Sequence, residues 1–266
     1  MTEDLSRLLP EVISLARDAG RVVLEVYESS YTVQQKDDRS PLTEADLRSE
    51  QLILKGLRRI APEVPVLSEE TGQVPWATRR RWSRLWVVDP LDGTKEFISR
   101  NGEFTVNIAL VQDGRVILGV VHAPALGRTY FAGEGAGAFR SDAEAAGRPI
   151  HVVKRAGGAV RVVGSRSHRG SSLDAFLERL GPYELVEVGS SLKLCLVAEG
   201  AADVYPRLGP TCEWDTAAGQ CVLEQAGGHV VTLDGEPLSY NSRAEILNPF
   251  FVGYADPGTD WLALVR

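Results

Sequence analysis

Residues 85–110 read LWVVDPLDGTKEFISRNGEFTVNIAL. An apolar run at 85–88 leads directly into two aspartates, Asp89 and Asp92, with Pro90 and Leu91 between them and Gly93 and Thr94 behind. The run has the pattern of the last residues of a core strand, so the acids sit where a turn begins. Two like charges about 4 Å apart repel by roughly 4 kcal/mol at an effective dielectric of about 20. A turn needs no such arrangement, whereas a bound cation does.

Two further acids share this kind of position, closing a strand or opening a helix: Glu69 in LSEET and Asp215 in EWDTAAG. Hard cations such as Mg²⁺ take carboxylate, carbonyl and water oxygens. The Leu91 carbonyl, in the tight turn, is a further candidate ligand. Four carboxylates balance two divalent ions, and two metals about 4 Å apart are a common device for in-line phosphoryl hydrolysis. Singly, each acid has an ordinary role: Asp215 as a helix N-cap, Asp89 as a turn former before proline, Glu69 as a surface acid. DPLDGT as a unit is much harder to explain that way.

Thr94 is expected to start a helix whose free N–H groups, with Gly93, can cradle a phosphate. LTEAD holds Thr43 and Asp46, which read either as a capping box or as a pair in which Asp46 supports Thr94 in orienting a water. GSRSHRG places Ser165, Arg166 and His168 at a strand end, and GSSLK places Gly189, Ser190, Ser191 and Lys193 at a helix start. Both places suit an anion. No Cys/His metal spacing, Walker-type loop or GxSxG is present.

The elements that must position these groups are legible in outline. Apolar residues recur at helical spacing from Leu5 to Val26, and a second helix is expected from Glu44 to Ile60. VPVLSEETG reads as a short strand ending in acids. ATRRRWSR reads as a basic, solvated surface. FTVNIALV and RVILGVVH form a hairpin around Asp113-Gly114, and RTYFAGEGAGAFR a second. From about His151 strands and helices alternate, closing with HVVTLDGEPLSY as a hairpin around Asp234-Gly235. The expected organisation is an N-terminal α+β part over 1–150, carrying most metal ligands, and a C-terminal α/β part over 151–266, carrying the anion-binding loops and the last ligand.

The composition sets limits. A chain of 266 residues can bury a sizeable core. With 29 basic and 36 acidic residues the net charge is −7, which argues against a nucleic-acid polymer or anionic membrane as partner. Three cysteines without a CxxC pair fit a reducing cytoplasm. The N-terminus lacks the pattern of a signal peptide, and no apolar run suits a membrane span.

WVVDPLDGTKEF and WDTAAGQCVLEQAGG resemble the two signatures of the inositol monophosphatase superfamily, and Glu69-Glu70 its short acidic motif. DPLDGTKEFISRNGEFTVNIAL, SRSH, GSSLKLCLVAEGAADVYPRLGPT and LNPFF are similar to its CysQ-type 3′(2′),5′-bisphosphate nucleotidases; TKEF stands where inositol monophosphatases typically have TTNF. The resemblance implies a layered αβαβα sandwich. It implies hydrolysis of the 3′-phosphate of adenosine 3′,5′-bisphosphate, a by-product of sulfate assimilation, with adenosine 3′-phosphate 5′-phosphosulfate as a second substrate.

It also implies Mg²⁺, two or three ions, and inhibition by lithium. Glu69, Asp89 and the Leu91 carbonyl would hold one ion, and Asp89, Asp92 and Asp215 another. Thr94, supported by Asp46, would position the attacking water. Gly93 and Thr94 would hold the transferred phosphate; Ser165, His168, Gly189, Ser190 and Lys193 would hold the nucleotide. Peripheral association with the inner face of the bacterial inner membrane is described for some relatives. The competing expectations are an inositol or sugar monophosphatase, and a catalytically silent metal- or nucleotide-binding protein on the same fold.

Overall fold

The computed structural model describes residues 2–35, 41–71, 74–155, 157–166 and 171–265. His168 lies outside them. The chain opens with α1 (Glu3–Tyr27), capped by the Thr2 hydroxyl and carrying a continuous buried stripe from Leu5 to Val26. A small antiparallel pair, β1 (Val33–Gln35) and β2 (Pro41–Thr43), leads into α2 (Glu44–Ile60). Then come β3 (Val66–Ser68), the short α3 (Trp76–Arg79), β4 (Arg84–Asp92) and α4 (Thr94–Ile98). The meander β5 (Thr105–Gln112), β6 (Arg115–Ala123), β7 (Arg128–Gly133), β8 (Gly137–Asp142) and β9 (Arg148–Ile150) completes a seven-stranded sheet in sequential order from β3. Asp113 and Gly114 both have positive φ at the β5–β6 turn, the conformation for which glycine is suited and aspartate tolerated.

The second half supplies β10 (Val160–Ser165), α5 (Ser171–Leu180), β11 (Tyr183–Val188), α6 (Leu192–Ala198), β12 (Val204–Arg207), α7 (Glu213–Gln225), β13 (His229–Thr232) and β14 (Phe251–Tyr254). Its five strands order as β11-β10-β12-β14-β13. β10 is parallel to both β11 and β12, so it marks the point where the crossovers diverge. Ligands of open α/β sheets bind at the carboxyl ends of strands at such a point.

Strand alternation sorts the side chains into layers. Trp86, Val88, Val106, Ile108 and Leu110 pack against α1 and α2. Leu85, Val87, Ala109 and Val111 face the other way, into a core shared with α6, α7 and the second sheet. Val160, Val162, Val204 and Val252 point beyond that sheet, onto Phe176 and Leu177 of α5 and onto Trp261. The order is helices, sheet, helices, sheet, helix: the expected αβαβα sandwich.

Three local expectations change. Arg79, expected in solvent, is fully buried; it lies over Trp76 and bonds Asn241 Oδ1 at 3.0 Å and the Ala244 carbonyl, which holds α3 against a distant loop. The 229–240 segment forms one strand whose return arm is a single bridge, Val231 to Pro237, because β13 spends its pairing on β14. Finally, the supposed turn at Asp89 is a continuation of β4, discussed below.

α7 lies close against β6. A Cβ at Gly119 would meet the Ala218 carbonyl at 2.5 Å and Cys221 Cβ at 2.8 Å. Gly119→Val should therefore cost about 1–3 kcal/mol by overpacking. The check is urea denaturation: the midpoint falls while the slope holds.

Candidate active site

Asp89 and Asp92 lie three residues apart on one strand, and strict alternation would send them to opposite faces. The pairing of β4 with β5 resolves this. Asp89 is opposite Asn107 and Asp92 is opposite Thr105, so β4 carries one extra residue in that interval. This is a β-bulge, and the extra residue returns Asp92 to the face that Asp89 occupies. Pro90, which cannot donate to a ladder, sits within it, one of the few places in a sheet that accept proline. The Leu91 amide donates to Asp89 Oδ1 at 3.0 Å, and the Ser49 hydroxyl donates to the Pro90 carbonyl at 2.8 Å.

The third acid comes from the other half. Asp215 lies in the first turn of α7, where its Oδ2 accepts the Cys212 amide at 2.8 Å in a capping box. Carboxylate oxygens of Asp89, Asp92 and Asp215 lie within 4.8 Å of one another. Ser191 joins the two halves. Its hydroxyl stands 2.6 Å from both the Asp92 carboxylate and the Asp215 carbonyl, and accepts from Asn107 Nδ2 at 2.8 Å. Glu69 does not join that tight group, but its amide bonds the Val88 carbonyl at 3.3 Å and its charge acts on Asp89 and Asp215.

Burial pushes the Asp89 carboxyl well above the usual carboxylate range, and Glu69, Asp92 and Asp215 push it further; the Leu91 amide opposes them. Asp215 is raised by burial, then by Asp92. Among the described residues none of the three aspartates forms an ion pair. An all-oxygen donor set, crowded and not ion-paired among the described residues, fits a hard divalent ion.

Asp92 and Asp215 border a cleft of about 200 Å³ whose wall also includes Gly93, Thr94, Ser165, Ser190, Lys193 and Arg207. Gly93 has φ 89°, the left-handed conformation that launches α4, and Thr94 Oγ1 is 3.5 Å from the Leu91 carbonyl. Ser165, Ser190 and Arg207 stand at or just beyond the carboxyl ends of β10, β11 and β12. Ser190 has φ 48°, and its hydroxyl is buried without a partner, as is Arg207 Nε. Such donors suit an incoming acceptor. Lys193 is buried, donates to the Ser190 carbonyl and lies 5.8 Å over the Tyr205 ring. Burial holds its ammonium below the ordinary lysine value; Arg207 adds to this, while Asp92, Glu96 and Asp215 pull it back.

Other expected residues lie differently. The Gly189 amide is committed to Glu103 Oε2 at 2.8 Å, and a Cβ there would meet Glu96 Cγ at 2.5 Å. Arg166 pairs with the same Glu103 at 2.8 and 2.9 Å rather than lining the cleft. Asp46 is buried and closes the capping box of α2, accepting from the Thr43 amide at 2.8 Å and hydroxyl at 2.7 Å. Spacing alone does not single out Arg207 and Tyr205; VYPR, a strand ending in a cation just before the α7 motif, is the one local signal for them.

The chain matches the profile of the inositol monophosphatase family over residues 4–257. It belongs to the inositol monophosphatase family. Within that family it is 48% identical over 246 residues to the 3′(2′),5′-bisphosphate nucleotidase CysQ of Escherichia coli K12, covering 92% of this chain and 98% of that one. It is 47% identical to the protein of that name from Salmonella typhimurium over the same shares. Among solved structures, CysQ from Bacteroides thetaiotaomicron is similar at 41% identity and TM-score 0.78, covering 92% of this chain and 96% of that one. An inositol monophosphatase from Thermotoga maritima is similar at 27% identity and TM-score 0.79, covering 96% and 94%.

The crowded acids give a prediction. Below about pH 4 Asp89 is protonated in both folded and unfolded chains. Above that the unfolded chain releases its proton first, so this group lowers stability as pH rises, until the folded form ionises too. In metal-free buffer at pH 8, Asp89→Asn should melt no lower than wild type, while its turnover with saturating Mg²⁺ falls below about a tenth. Paired melting curves and phosphate-release assays check both.

Proposed function

We propose that this chain hydrolyses the 3′-phosphate of adenosine 3′,5′-bisphosphate to AMP and phosphate, as a 3′(2′),5′-bisphosphate nucleotidase. The observation that carries this reading is the pair of cations, Lys193 and Arg207, in the cleft that Asp92 and Asp215 border. A simple phosphomonoester of a neutral alcohol presents one anionic group, which a metal centre alone can hold. A bisphosphate presents a second, and two cations with the unpartnered Ser190 hydroxyl suit it. The CysQ relatives point the same way. Adenosine 3′-phosphate 5′-phosphosulfate fits the same donors.

Glu69, Asp89, the Leu91 carbonyl, Asp92 and Asp215 would hold two Mg²⁺ ions. Bound there, the metal supplies Lewis-acid charge and an acidified water. The chain's own residues do the rest. Thr94, with Asp46 behind it, orients the attacking water; the Gly93 and Thr94 amides receive the transferred phosphate; Ser165, Ser190, Lys193 and Arg207 receive the other end of the substrate. The two-part division belongs to this reading: residues before 150 supply most of the metal ligands, and those after 151 supply Asp215 and the second anion site. Among the described residues no helix is long and apolar enough to cross a membrane.

Two measurements test this. Two charge-assisted hydrogen bonds, at roughly 1.5–3 kcal/mol each, favour the bisphosphate over inositol 1-phosphate by about a hundredfold or more in kcat/KM. Lys193→Met should erode that ratio while slow hydrolysis of the simple ester persists; equal kcat/KM for the two substrates would overturn the nucleotidase reading. Asp46→Asn should lower kcat by about ten- to a hundredfold and move KM far less. A lowered melting temperature with kcat intact would leave Asp46 as a helix cap only.

A further inference from the structure

Two adjacent residues of α2, Ser49 and Glu50, each grip a different segment that carries a metal-ligand candidate. The Ser49 hydroxyl, fully buried, donates to the Pro90 carbonyl at 2.8 Å, inside the bulge that aims Asp89 and Asp92. Glu50 Oε1 accepts the Ser68 hydroxyl at 2.6 Å and the Thr71 hydroxyl at 2.7 Å. Ser68 and Thr71 flank Glu69 and Glu70 in sequence, so one carboxylate oxygen ties down both ends of the acidic loop. These are short, charge-assisted bonds, and Glu50 is itself nearly buried.

The arrangement is costly for a merely structural purpose. β3 ends at Ser68, and the loop after it bonds β4 through the Glu69 amide and the Val88 carbonyl. An apolar residue would fill that side of α2 at less cost than a buried carboxyl group. What Glu50 adds is position. With Ser49 it fixes the acidic loop and the bulge to the same turn of one helix. The β3–β4 pairing of Ser68 with Val88 brings Glu69 beside Asp89, and α2 adds a second, side-chain hold on both segments. Partners that orient metal ligands in this way change metal affinity by about ten- to a hundredfold when removed.

We propose that Glu50 is a positioning residue for the metal centre, acting through Ser68 and Thr71 on Glu69, with Ser49 as its counterpart on the bulge. The inference rests on the metal-dependent reading above.

The test is Mn²⁺ binding to the purified full chain, followed by electron paramagnetic resonance, with melting curves taken alongside. Glu50→Leu should raise the Mn²⁺ Kd about tenfold or more, and kcat should return toward wild type at saturating metal. Glu50→Gln keeps an acceptor oxygen for both hydroxyls and should recover most of the affinity. Ser49→Ala should also weaken binding. Glu50→Leu that melts lower yet binds Mn²⁺ as wild type does would overturn the proposal and leave a structural residue. So would an equal loss in Glu50→Gln and Glu50→Leu, since charge rather than the clamp would then matter. If Glu50→Leu does not fold, Thr71→Val removes one of the two hydroxyls from the loop, and an unchanged Kd there overturns the proposal. Wild-type protein that binds no Mn²⁺ overturns the metal-dependent reading itself, a result distinct from any of these.

Discussion

Everything at this site follows from like charges brought together. Asp89, Asp92 and Asp215 converge within 4.8 Å, with Asp89 fully buried and its acidity suppressed by burial and by its neighbours. Hydrophobic burial elsewhere must offset that repulsion in the metal-free chain. The two large cores pressed against the seven-stranded sheet are where that free energy comes from. The bulge in β4, the capping box of α7 and the Ser191 bridge then determine where the charges end up.

The structure divides the labour between regular and irregular backbone. Helices and strands fix the halves: α1 and α2 cover one face of the first sheet, and α6 and α7 fill the space between the sheets. The site is built from interruptions in that regularity. These are a bulge at 89–92, a left-handed Gly93, a left-handed Ser190 and the ends of three parallel strands. Each interruption exposes backbone or aims a side chain that a continuous element would have hidden.

Much of this was legible in the residues. The α2 boundaries, the Asp113-Gly114 turn and the three converging aspartates follow from periodicity, turn chemistry and charge placed beside apolar runs. The bulge was not, because a proline after a strand signals a turn as readily as a bulge, and only the partner strand counts the extra residue. Three arginines in a row suggest solvent, whereas the partners that bury Arg79, Asn241 and Ala244, are remote in sequence. Arg207 is silent for a similar reason: nothing local distinguishes a strand-end arginine facing a cleft from one facing water. Gly189 and Arg166 show the converse, since their donors are consumed by Glu103, a residue with no motif of its own.

Asp215 enters the centre from α7, which is wedged between the two sheets, while Asp89 and Asp92 enter from a strand of the first sheet alone. An ion held by all three would crosslink parts of the chain more than a hundred residues apart in sequence. Its binding free energy would add to the cohesion of the middle layer, not merely to a surface loop. Opening of that layer would then have to release the ion first, so metal occupancy would oppose separation of the two sheets.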